Sequence, residues 1–206
     1  MTIPSRAQAA ALLESLSPRP RLLKHASAVA ETAAFLAERA ARRGVRVDRH
    51  LTESAALLHD LDKALPPADP LRALGHGHAG ARWLRDHGYG ELSAAVECHP
   101  VGRLSDPGYE AWAATAALEE RIVAYADKRA AQRVAPMDRR FTRWSRGHPD
   151  LEASLRLARA RAAQLEQEVC SAAGVTPDQG RRLRWVSQAF ERARRSPAAR
   201  TGVPPG

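Results

Sequence analysis

An apolar run, Ala55-Ala56-Leu57-Leu58, closes on an adjacent histidine and aspartate, His59-Asp60, followed by Leu61-Asp62-Lys63. Burying an imidazole and a carboxylate side by side is costly unless something compensates them, and a metal ion is the usual compensation. On a helix, neighbouring residues point about 100° apart, so the pair could chelate one ion or reach two from one turn. Alone, the pair also reads as a core histidine beside a solvent-facing acid. The rest of the chain has to decide between these readings.

A length of 206 residues suits one substantial core rather than two independent ones. Hydrophobic residues make up 44% but aromatics only 5%, and alanine and leucine dominate. With β-branched and aromatic residues scarce, the expected fold class is all-α. Cys98 and Cys170 have no metal-like spacing and form no disulfide framework, so a reducing, cytoplasmic setting is the default. No signal-peptide core and no run of 18 apolar residues occurs, so neither export nor a membrane partner is expected. The net charge of +9 is uneven: from Pro136 onward, fourteen arginines face seven acidic residues. Arginine supplies nearly all the basic charge of an alanine-rich chain, so this tail is only a weak nucleic-acid signal.

A short helix is expected over Ser5–Leu16, then a long amphipathic one from Arg21 to about Arg43 with Gly44 as its cap. On the latter, His25 shares a face with Val29, Thr32, Ala33 and Leu36. Asp48 is a candidate N-cap for a helix over Arg49–Ala64, on which His59 lies one turn after Ala55. Gly75-His76-Gly77-His78-Ala79-Gly80 opens a helix reaching His87; His78 is placed on it, whereas His76 precedes it and is expected to be exposed. Gly80 would permit a close approach to another backbone. Glu91–His99 is a short helix with His99 on its apolar side, ended by Pro100, and Gly102–Gly108 is a loop. Asp127 follows Val123 by one turn on a helix expected over Thr115–Val134. Beyond Pro136, Pro149–Ala173 and Thr176–Arg194 read as two arginine-rich helices. The expected organisation is residues 1–135 as one helical domain, 136–195 as an extension packed on or beside it, and 196–206 as a disordered tail.

Inward-facing His25, His59, Asp60, His78, His99 and Asp127 would be separate burial problems, and one shared metal centre resolves them together. Their order resembles the HD-domain superfamily of helical, metal-dependent phosphohydrolases, whose pattern is H…HD…D, over about residues 19–135. The resemblance implies that His25, His59, Asp60 and Asp127 bind one ion. Asp60 would bridge to a second ion held by His78 and His99, leaving His76 dispensable. The metals would be divalent, and such donors suit Fe, Mn, Co, Ni or Zn without choosing among them. Asp60 and Lys63 are the expected catalytic residues. Lys63, by resemblance to an HD-x-x-K pattern, and then Arg129, Arg133 and Arg21 are candidates for binding substrate phosphates.

His99-Pro100-Val101-Gly102 lacks the His-Glu and Gly-Tyr-Pro cluster of the branch that cleaves cyclic di-GMP, and the middle histidines argue against the (p)ppGpp-hydrolysing branch. The chain looks most like small bacterial HD proteins, including those that split dinucleoside tetraphosphates. The expected reaction is cleavage of a phosphoester or phosphoanhydride of a nucleotide or dinucleotide. Two alternatives stand beside it. One is an HD-type di-iron oxygenase acting on a small substrate with O₂. The other is a nucleic-acid-binding module with a degenerate metal site, contacting RNA or DNA through its arginine-rich tail. Oligomeric state is not legible in the sequence.

Overall fold

The computed structural model describes residues 3–131, 133–179 and 185–195. The segment 196–206, expected to be disordered, lies outside them. Among the described residues are ten α-helices joined by short 3-10 turns and no β-strand, with one isolated bridge between Ala130 and Val134.

The first three helices start at recognisable signals. In α1 (Arg6–Ser15), the Ser5 hydroxyl accepts from the Gln8 N–H while the Gln8 side chain accepts from the Ser5 N–H, a reciprocal capping box. Pro20 opens α2 (Pro20–Arg42), where its missing N–H costs nothing. Asp48 caps α3 (Arg49–Leu58) by accepting from the Leu51 N–H at 3.0 Å. Next come α4 (His78–Asp86), α5 (Ser93–Cys98), α6 (Tyr109–Thr115) and α7 (Leu118–Arg129). The C-terminal part forms α8 (Met137–Gly147), α9 (Glu152–Ala173) and α10 (Trp185–Arg195).

Helix α2 is the central element. Its buried stripe of Ala26, Val29, Ala30, Ala33, Leu36 and Ala37 packs on α3, α7 and α9. Small side chains let these neighbours come near, and Leu57, Leu58, Ile122 and Val123 fill the remaining space. Helix α9 adds Leu165 and Val169 to this core, and α10 docks on α1 with Phe190 buried. A smaller apolar cluster joins Leu104 and Tyr109 to Met137 and Phe141 of α8 and to Ala158 and Ala162 of α9.

Four departures from expectation shape the site. The helix expected over Arg49–Ala64 stops at Leu58; Asp60 takes φ −105°, ψ 17°, and Leu61–Ala64 is a 3-10 turn. The helix expected over Thr115–Val134 starts later, as α7 at Leu118: Thr115 instead ends α6, and at the break the Glu120 side chain accepts from the Ala117 N–H. It ends at Arg129, because Ala130 is extended. The presumed loop Gly102–Gly108 contains a 3-10 turn over Val101–Ser105. Helix α8 fills a stretch for which no element was expected; its apolar side is only Met137, Phe141 and half-buried Trp144 among arginines.

Candidate metal centre

His25 projects from α2, His59 and Asp60 follow the end of α3, His99 caps the end of α5, and Asp127 lies in the last turn of α7. The structure brings all five together. The sixth member of the cluster is His76, not His78. His76 Nε2 lies 3.3 Å from Asp60 Oδ1, whereas His78, half exposed at the start of α4, pairs through Nδ1 with Glu97 of α5 at 3.0 Å. His76 is exposed, as expected, but its Nε2 faces the cluster, and His78, expected in the centre, turns to Glu97 instead. The cause is backbone geometry. Gly75 and Gly77 both have positive φ, 83° and 84°, and they swing the intervening His76 into the cluster before the helix begins. A Cβ at Gly77 would meet Pro100 Cγ at 2.7 Å. Paired flanking glycines were the available sequence signal; helical periodicity had nothing to say about a residue outside the helix.

Imidazole orientation is fixed from behind. The Nδ1 atoms of His25, His59 and His99 face the carbonyl oxygens of Ala131, Ala56 and Val96 at 2.7, 2.8 and 2.5 Å, and His76 Nδ1 faces Asp62 Oδ2 at 2.9 Å. Carbonyl and carboxylate oxygens only accept, so each Nδ1 carries the hydrogen and donates it. In the neutral rings, every Nε2 then points a lone pair into the cluster. This is how metal-bound histidines are held. Asp62, which the sequence reading passed over, is thus the partner that orients His76.

The four rings form a chain, His25–His59–His99–His76, with successive centroids 5.0, 4.8 and 4.8 Å apart and near-perpendicular planes. His25 Nε2 and His59 Nε2 are 3.2 Å apart, and so are His99 Nε2 and His76 Nε2. Two lone pairs facing each other at this distance repel unless a cation or proton lies between them. The spacing suits two ligands of one ion at metal–nitrogen distances of about 2.0–2.1 Å.

Asp60 lies across both pairs. Its Oδ2 is 3.4 Å from His25 Nε2 and 3.5 Å from His59 Nε2; its Oδ1 is 3.3 Å from His76 Nε2 and 3.4 Å from His99 Nε2. Asp127 Oδ1 joins the first group, 3.1 Å from His25 Nε2 and 3.9 Å from His59 Nε2. Two sets of converging donors result, His25, His59 and Asp60, and Asp60, His76 and His99, with Asp127 Oδ1 beside the first. They share the Asp60 carboxylate. Nitrogen and oxygen donors without thiolate fit a divalent metal.

Electrostatics agree with that donor set. Burial drives the His59 pKa down to about 3 and lowers that of His99, so both rings are neutral at ordinary pH. Burial opposes ionisation of Asp60 and Asp127, but the interactions with the groups around them outweigh it. The His59, His99 and Lys63 side chains hold Asp60, and Lys128, His25 and Arg140 hold Asp127, well below the usual carboxylate range. Lys128, fully buried, donates to Asp127 Oδ2 at 2.9 Å and to the His99 carbonyl. Arg140 of α8 donates to Asp127 Oδ1 at 3.1 Å.

The other candidate cations are dispersed. Lys63 Nζ, half exposed at the rim, stands 2.7 Å from Asp60 Oδ1. Arg129 turns away from the cluster, toward Glu166 of α9 and the carbonyl of Pro177. Arg21 and Arg133 are exposed.

The family profile described as HD domain matches residues 22–132, more than half of the chain. The chain belongs to the HD-domain superfamily. This HD protein is therefore a member of a superfamily of metal-dependent phosphohydrolases, with the all-helical fold expected of it. A search of curated proteins and one of solved structures returned no match. Helices α8, α9 and α10 lie beyond the matched segment. Among the described residues, no helix is long and apolar enough to cross a membrane.

Proposed function

We propose that this HD protein is a two-metal phosphohydrolase that cleaves a phosphoester or phosphoanhydride of a nucleotide or dinucleotide. The observation that carries the reading is the placement of the Asp60 carboxylate, with one oxygen facing His25 and His59 and the other facing His76 and His99. In this reading His25, His59, Asp60 and Asp127 hold one ion, and Asp60, His76 and His99 hold the other. Ions held by these residues would supply an activated water and charge stabilisation for an in-line displacement at phosphorus.

The chain's own residues supply the remainder. Fully buried His59 and His99 form the floor, while His25, His76 and Lys63 reach the rim where a phosphate arrives. Lys63 offers a half-exposed ammonium beside Asp60, suited to neutralising charge that develops on the phosphoryl oxygens. Asp62 keeps His76 in its tautomer, and Lys128 keeps Asp127 ionised and oriented. Arg129, tied to Glu166 and Pro177, is left out of substrate binding.

The test is phosphate release from mononucleotides and dinucleoside polyphosphates with added Mn²⁺ or Co²⁺. The reading expects metal-dependent release that falls on the order of 10²-fold in Lys63→Ala. O₂ uptake by the iron-loaded protein, without phosphate release from any of these substrates, would contradict it in favour of oxygenase chemistry.

A further inference from the structure

We propose that Arg140 is a positioning residue of the first metal position, so that α8, beyond the HD match, completes the centre; this rests on the metal-centre reading above. The Arg140 guanidinium spans from α8 to the end of α7. One arm, Nη2, donates to Asp127 Oδ1 at 3.1 Å, and the other, Nη1, donates to the carbonyl of Ala130. Asp127 Oδ1 is the oxygen that faces His25 Nε2. Ala130 is where α7 gives way to extended backbone, and the next carbonyl, that of Ala131, receives the His25 Nδ1 hydrogen. One planar group thus fixes both the Asp127 carboxylate and the backbone that aims His25.

With Lys128 on Oδ2 and Arg140 on Oδ1, the Asp127 carboxylate is pinned at both ends. Holding a carboxylate and a carbonyl together requires the planar fork of arginine; a lysine ammonium at position 140 would retain the charge but not the paired reach. The guanidinium is held in place by Trp144, whose ring centroid lies 4.7 Å away, while Met137 and Phe141 anchor α8 in the smaller apolar cluster. Its Nε is buried in the same contact. Arg139, the preceding residue on the same helix, is exposed and provides the comparison.

The experiment is Co²⁺ titration of the full chain, followed by visible absorption and by ions per chain after gel filtration, with far-UV circular dichroism for the fold. Wild type, Arg140→Ala, Arg140→Lys and Arg139→Ala are compared. The expected result is that Arg140→Ala keeps its helix content and its second-position ion but binds the first ion about 10–100-fold more weakly. Arg140→Lys falls between it and wild type, and Arg139→Ala matches wild type. Unchanged affinity and stoichiometry in Arg140→Ala would overturn the proposal, and so would an equal loss in Arg139→Ala, since lost charge would then suffice. Should Arg140→Ala fail to fold, a folded Arg140→Lys with wild-type affinity would overturn it as well. Wild-type protein that binds no Co²⁺ would instead remove the metal-centre reading on which the proposal stands.

Discussion

His76 and His78 are two residues apart and meet different fates because one lies between two glycines and the other begins a helix. His76 donates through Nδ1 to Asp62 and turns Nε2 toward Asp60 and His99; His78 turns outward to Glu97. Elemental analysis should therefore show that His76→Ala loses one of two bound ions while His78→Ala keeps both, and the opposite pattern would reverse the assignment. His25, His59, His99 and Asp127 were readable as inward-facing because each follows an apolar stripe at helical spacing. His76 was not, since its direction comes from the positive φ of Gly75 and Gly77. Lys128 and Arg140 were equally hard to read. Burial of a lysine is visible only once its partners, Asp127 and the His99 carbonyl, are in place.

Helices end where the centre needs them to end. Termination of α3 at Leu58 and the turn at Asp60 let adjacent residues in sequence serve one cluster from different angles. The extended Ala130 likewise delivers the Ala131 carbonyl to His25. Such breaks escape periodicity, which reads the apolar stripe and not the point where tertiary contacts outweigh helix propensity. Starts were more legible, since Ser5, Pro20 and Asp48 are local signals. Helix α8 escaped because its few apolar residues are outnumbered by arginines. Gly80, expected to let another backbone come near, instead makes room for a side chain: a Cβ there would stand 3.1 Å from Val96 Cγ1 of α5. Gly77 is tighter still. Gly77→Ala should displace the 75–77 turn and weaken the ion held by His76 and His99 while leaving far-UV circular dichroism nearly unchanged. A variant with both ions bound at wild-type affinity would show that this turn does not set the centre.

At the scale of the whole molecule, two cores and one polar centre are tied together. The C-terminal helices close on both: α9 lies along α2 and α7, and α8 sends Arg140 to Asp127. The positive surplus beyond Pro136 is thus partly matched by acids of the preceding segment, as in Arg161 with Glu110 and Arg140 with Asp127. Four imidazoles and two ionised carboxylates converge at the ends of packed helices, so occupancy by cations should contribute to global stability. With free metal about 1,000-fold above Kd, the gain is about 4 kcal/mol per ion, or on the order of 10 °C in Tm for a chain of this size. Scanning calorimetry before and after chelation checks it; a Tm indifferent to chelator would mean that the fold does not depend on a bound ion. The most direct test of the shared carboxylate is elemental analysis of wild-type protein and Asp60→Ala purified side by side. About two ions per chain in wild type and well under one in Asp60→Ala is the predicted result, because both positions draw on the same side chain. Two ions retained in Asp60→Ala would contradict it.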